Sequence, residues 1–115
     1  MLEVQQKPIA DVIVLNLKGK ITIGAGDVTL RNAIESLLEQ NSKKIVLNMA
    51  RVSYIDSSGT GELVSCYTKV RKSGGQLKLL NISQKIQDIL QIAQLFSIFD
   101  VYTDEAEAVG SYMEE

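Results

Sequence analysis

Apolar residues along this chain fall into two rhythms, and the two alternate from one end to the other. Some runs are short and continuous or alternating, as in strands. Others recur at helical spacing. Residues 3–7 read as a first strand, with Pro8 placed to break its ladder because proline has no N–H. Residues 12–18 (Val-Ile-Val-Leu-Asn-Leu-Lys) read as a second. The short Pro-Ile-Ala-Asp connection predicts that the two pair as a hairpin. A loop over 22–27 carries Gly24 and Gly26. A helix then opens near Asp27, with Leu30, Ala33, Ile34, Leu37 and Leu38 on one face, and closes around residues 40–42.

Residues 44–49 contain the unbroken Ile45-Val46-Leu47 of a strand covered on both faces, and 50–57 read as a loop. A second helix is predicted over 59–72, with Leu63, Val64, Tyr67 and Val70 along one side, stopped by Ser73-Gly74-Gly75. Residues 76–82 form the next strand. Ser83 is the expected cap of a helix carrying Ile86, Ile89, Leu90 and Ala93. A last short strand falls within 96–102. Thr103 is the expected cap of a final helix with Ala106, Val109, Tyr112 and Met113.

The order is β-β-α-β-α-β-α-β-α. Strands alternating with helices predict an α/β fold with right-handed crossovers and a mostly parallel sheet. The N-terminal hairpin adds an antiparallel edge, so the sheet is expected to be mixed, with four helices. No linker, repeat or low-complexity segment interrupts the pattern. A length of 115 residues suits one domain, so residues 1–115 are read as a single unit.

Composition narrows the chemistry. The chain has no histidine, which removes a Ser-His-Asp triad and histidine metal ligands. It has no tryptophan and only 5% aromatic residues, a poor basis for a stacking platform. Lysine and arginine are scattered and the net charge is −2, so no basic stripe offers itself to nucleic acid. No apolar run approaches the ~20 residues that cross a bilayer, and the N-terminus lacks the pattern of a secretory signal. The one cysteine, Cys66, cannot form an internal bridge and fits a reducing compartment. These features predict a cytoplasmic protein without a cofactor or a membrane partner.

The run Asp56-Ser57-Ser58-Gly59 sits where a strand is predicted to end and a helix to begin. In open α/β sheets that edge is where sites form. Two hydroxyls there lie beside unpaired helix N–H groups and the positive end of the helix dipole. A phosphate on either serine would gain backbone donors and recast the local charge. Gly59 and Gly61 keep the surroundings thin enough for another chain to approach. The same residues also suit an ordinary helix cap and turn, and the short motif by itself does not decide between the two. Asp56 either orients the turn by accepting nearby N–H groups or forms a plain Asx turn. Ser57 is the expected cap or neighbouring contact.

A wider pattern adds weight. Lys44-Ile-Val-Leu-Asn-Met, then Val52-Ser-Tyr-Ile-Asp-Ser-Ser-Gly-Thr-Gly-Glu-Leu, then Gly74-Gly-Gln-Leu-Lys-Leu-Leu-Asn-Ile, then Leu95-Phe-Ser-Ile-Phe together resemble the anti-sigma-factor antagonists, STAS-domain proteins of bacterial partner-switching systems. The resemblance covers nearly the whole chain and implies the STAS fold. It implies a partner: an anti-sigma factor that is also a serine kinase, bound by the unphosphorylated antagonist so that a sigma factor is released. Phosphorylation by that kinase breaks the complex, and a metal-dependent serine phosphatase restores it. The serine directly before the first glycine is the acceptor, which here is Ser58, with Ser57 second. Asp56, Ser57, Gly59, Thr60 and Gly61 would then form the partner surface, joined by Thr22, Gly24 and Gly26 of the preceding loop. The resemblance also implies a regulator rather than an enzyme, monomeric when free.

Thr22 departs from the pattern. Many members carry an acidic residue after the Gly-x-Leu that ends the second strand, and here Gly19-Lys20-Ile21 precedes Thr22. Two other readings stand beside the main one. Gly24-Ala-Gly26 sits where a dinucleotide loop would, but Thr29 holds the third glycine's place and no Lys-Ser/Thr completes a phosphate loop. A STAS module can also serve a lipid-transport complex or a stressosome-like scaffold. Cys66, beside an apolar helix face, reads as a buried inert thiol rather than a redox sensor.

Overall fold

The computed structural model describes residues 1–112. The predicted Met113 of the final helix lies outside the described residues. The chain forms β1 (Leu2–Ile9), β2 (Val12–Ile21), α1 (Gly26–Glu39), β3 (Lys44–Ile55), α2 (Ser57–Lys72), β4 (Gln76–Leu80), α3 (Gln84–Ile92), a 3-10 turn (Phe96–Ile98), β5 (Val101–Tyr102) and α4 (Glu105–Gly110). The strands lie side by side in chain order, β1-β2-β3-β4-β5. Only the β1–β2 pair is antiparallel; β2–β3, β3–β4 and β4–β5 are parallel. This is the mixed α/β sheet with an N-terminal hairpin that the alternating rhythms predict.

Period-two alternation sends side chains to two cores. Leu15, Leu17, Ile45, Leu47, Leu77 and Leu79 join the face covered by α1, α2 and α3, against Leu30, Ile34, Leu63, Cys66, Ile86 and Leu90. Val12, Val14, Val46 and Leu80 point the other way, under Ala108, Val109 and Tyr112. The unbroken apolar run of β3 is therefore needed, because that strand is covered on both sides.

Several boundaries differ from the sequence reading, each for a physical reason. Pro8 does not end β1; it stays in the ladder opposite Ile13. Among the described residues β1 is an edge strand with no neighbour on its outer side, where a residue lacking N–H is tolerated. β2 runs on past Lys18 to Ile21, and most of the expected loop 50–57 is the second half of β3. Val52 and Ile55 are buried there while Arg51, Ser53 and Tyr54 face solvent, with register shifts against β2. Two irregular steps hid the strand period from sequence. β4 stops at Leu80, before Asn81 with its positive φ of 59°. The last strand is only two residues long, since Phe96–Ile98 winds into a 3-10 turn. Asp104, not Thr103, caps α4: its Oδ1 accepts the Glu107 N–H at 3.0 Å. Ser83 caps α3 as expected, accepting the Ile86 N–H.

Candidate functional site

The carboxyl ends of β2 and β3 lie side by side, with Ile21 paired to Ile55. Each strand hands its chain to a helix there, so the first turns of α1 and α2 meet at one edge of the sheet. Glycine makes the close approach possible. A Cβ on Gly59 would collide with the Ile21 carbonyl oxygen, and one on Gly26 with that of Lys20. Neither position has room for a side chain.

Asp56 pins the junction. It is the N-cap of α2, and its Oδ1 accepts the Gly59 N–H at 2.8 Å. Its other oxygen, Oδ2, accepts the Ile23 N–H from the β2–α1 loop at 3.0 Å. Backbone N–H bonds from Ile23 and Gly59 hold this carboxyl below the usual carboxylate range. Asp56, rather than Ser57, is therefore the cap, and both serine hydroxyls are left for other work. Thr60, buried, donates its hydroxyl to the Asp56 carbonyl oxygen at 2.9 Å.

The predicted surface residues divide by exposure. Ser57, Gly61 and Gly24 are exposed, and Ser58 and Thr22 are half-buried. Gly26, Gly59 and Thr60 are buried and serve as its scaffold. Thr22 follows β2, and its carbonyl accepts the Asp27 N–H at 3.1 Å, closing the loop onto α1. Gly24 takes a φ of 93°, which glycine adopts without strain. The Asp56–Ile23 bond joins this loop to the Ser57–Ser58 turn, so the two predicted segments form one continuous surface.

The sequence reading missed two neighbours of that surface. A shallow groove of about 520 Å³ runs beside Ser57, Thr60 and Gly61, walled by Tyr54, Ile89, Ile92 and Leu95. Ile92 is 84% exposed and Ile23 72% exposed. Ile92 could have been noticed, because it falls off the 86-89-90-93 stripe of its helix. The second is an ion pair between helices. Arg31 of α1 donates from Nη2 and Nε to Glu62 Oε1 of α2, at 2.8 and 3.0 Å. The Glu62 side chain is 6% exposed, deep for a charge without such a partner. Cys66 Sγ lies 3.5 Å from Glu62 Oε2. Burial, then the Glu62 charge, pushes its thiol up to about 12. Cys66 is thus a neutral, buried donor. Among the described residues no three acidic or cysteine side chains cluster as a metal site would require.

Five strands in this order, three helices on one face, one on the other, and a capped Ser-Ser-Gly turn define a known class. The sequence matches the STAS domain family over residues 2–108, and the chain belongs to that family. It is 33% identical over 100 residues to the anti-sigma-B factor antagonist of Bacillus subtilis, covering 87% of this chain and 90% of that protein. A Thermotoga maritima protein of known crystal structure superposes with a TM-score of 0.86 at 24% identity, covering 94% of this chain and 92% of that one. The Bacillus cell fate determinant SpoIIAA, solved in its phosphorylated form, superposes at 0.74 with 23% identity over 96% and 99% of the two chains.

Proposed function

We propose that this chain is an anti-sigma-factor antagonist switched by phosphorylation of Ser58. Unphosphorylated, it binds an anti-sigma factor that is also a serine kinase, and a sigma factor is released. Phosphate on Ser58 ends the complex, and a serine phosphatase restores it. The protein acts in the cytoplasm, as a monomer when free, by binding rather than by catalysis. The observation that carries this reading is the Asp56 carboxylate, which caps α2 and holds the 22–25 loop against the Ser57–Ser58 turn. It makes one rigid surface from two segments and leaves both serine hydroxyls outside the capping bonds. The relative's name, anti-sigma-B factor antagonist, and a phosphorylated structure of this fold support the same reading.

The switch follows from electrostatics. A hydroxyl fits an interface at little cost. A phosphate of charge about −1.5 to −2, pressed against a partner's apolar or acidic groups, costs several kcal/mol, roughly a hundredfold or more in affinity. Exposure alone favours Ser57, while position directly before Gly59 favours Ser58.

Incubation with the cognate kinase and ATP, read by intact mass, tests the assignment. The wild type should gain one phosphate and Ser58→Ala none. A Ser58→Ala protein modified to the wild-type extent transfers the assignment to Ser57. Ser58→Asp should weaken kinase binding in a titration.

A further inference from the structure

The close packing of the first turns of α1 and α2 places a charged ladder beside Ser58. Gly26 rests on the Lys20 carbonyl and Gly59 on the next one, that of Ile21. Two ion pairs fix the helix register further along: Arg31 to Glu62, and Lys69 Nζ to Glu35 Oε2 at 2.8 Å. Both helices follow parallel strands and run the same way. One helical turn before the Arg31–Glu62 pair, the same two faces carry Asp27 on α1 and Ser58 on α2. Helical side chains lean toward their own N-terminus. The Arg31 guanidinium, on Glu62 Oε1, is held one helical turn past Ser58 on α2, while Glu62 Oε2 lies 3.5 Å from Cys66 Sγ.

A phosphate on Ser58 enters acidic surroundings. Asp27 lies in the first turn of α1, Glu62 is one turn on along α2, and Asp56 caps the same helix. Glu35 is a further turn along α1, already paired to Lys69. Lys20, on β2 at this edge, is exposed. Arg31 has capacity to spare. Only Nε and Nη2 are engaged, both on one Glu62 oxygen, and Nη1 has no hydrogen-bond partner among the described residues. Its side chain is 42% exposed, so its outer edge is reachable. A guanidinium offers five donors in a rigid fork suited to phosphate.

We propose that Arg31 is the internal counterion of phosphorylated Ser58, holding Glu62 with one edge of its guanidinium and the phosphate with the other. The inference rests on Ser58 being the modified serine. It gives the phosphorylated state its own stable form: part of the phosphate charge is offset from within, Glu62 keeps its partner, and α1 stays docked on α2. The switch then acts on the outer surface and not by loosening the fold.

The test installs phosphoserine at position 58 by codon suppression, without a kinase, and follows the phosphate by ³¹P NMR titration. Arg31→Gln should raise the second phosphate pKa by about 1 unit, since an adjacent cation favours the dianion by at least that much. Glu62→Gln removes an anion and frees the guanidinium, so it should lower the pKa. Lys69→Gln breaks the other interhelical pair and Lys20→Gln removes a cation at the same edge; both should leave the titration where it is. An unmoved titration in Arg31→Gln overturns the proposal, as does an equal shift in either lysine variant. If Arg31→Gln does not fold, Glu62→Gln decides alone, and a pKa that fails to fall overturns it. Because no kinase is involved, failure here leaves the Ser58 phosphorylation assay standing. A kinase that modifies Ser57 instead would sink that assignment without touching this titration.

Discussion

At Asp56 one carboxylate does two jobs, and they can be separated by measurement. Asp56→Ala removes the cap of α2 and should cost about 1 kcal/mol in a urea melt. It also frees the Ile23 N–H, so hydrogen exchange at that amide should accelerate more than at amides in the middle of α2. The charge has a definite pH signature. Its folded-state pKa is depressed, so its contribution is present above the unfolded value and is lost as pH falls through the folded one. Asp56→Asn should flatten the acid side of the stability–pH curve below about pH 4, the unfolded carboxyl range. Gly59 allows a sharper change. Gly59→Ala would set a methyl against the Ile21 carbonyl oxygen, and overpacking of this kind costs about 1–3 kcal/mol by urea denaturation. Gly61, with open space around it, should take alanine without such a loss.

Among the elements, those with long, regular patterns were legible and those with interrupted patterns were not. The stripe Leu30, Ala33, Ile34, Leu37 and Leu38 located α1, and Ile45-Val46-Leu47 marked a strand buried on both faces because α4 covers the second side. The outer half of β3 was hidden, since its register slips against β2 and its inward residues are no longer two apart. The Ser58 turn was visible through its motif. The loop's bond to Asp56 and the Arg31–Glu62 pair were not, because both join residues more than thirty positions apart and no local spacing encodes them. α3 offers a test of how far pattern predicts energetics. Leu90, fully buried, should cost about 2–5 kcal/mol as Leu90→Ala. Ile92, two residues on and 84% exposed, should stay within about 0.5 kcal/mol of wild type as Ile92→Ser.

For the molecule as a whole, Cys66 is a built-in reporter of opening. It lies in the larger core with its thiol pushed up to about 12, whereas an unfolded cysteine titrates near about 8.5. At pH 8 a thiol-specific reagent should label the native protein at the rate at which the α1–α2 core opens, and that rate should rise with urea in step with global unfolding. Labelling as fast as in the unfolded chain would contradict this burial.

The junction at the ends of β2 and β3 also governs where related sequences can differ. The 22–25 loop is tied at both ends, by Asp27 N–H to the Thr22 carbonyl and by Ile23 N–H to Asp56. Between those ties Gly24 and Ala25 are exposed, and nothing lies within van der Waals reach of a Cβ on Gly24. Substitutions or extra residues there project outward and leave the Ser57–Ser58 turn in place. Sequence can therefore vary in the loop while the turn that carries the proposed phosphorylation site stays fixed, so duplicated copies of such a chain could acquire different loop surfaces without rebuilding that turn.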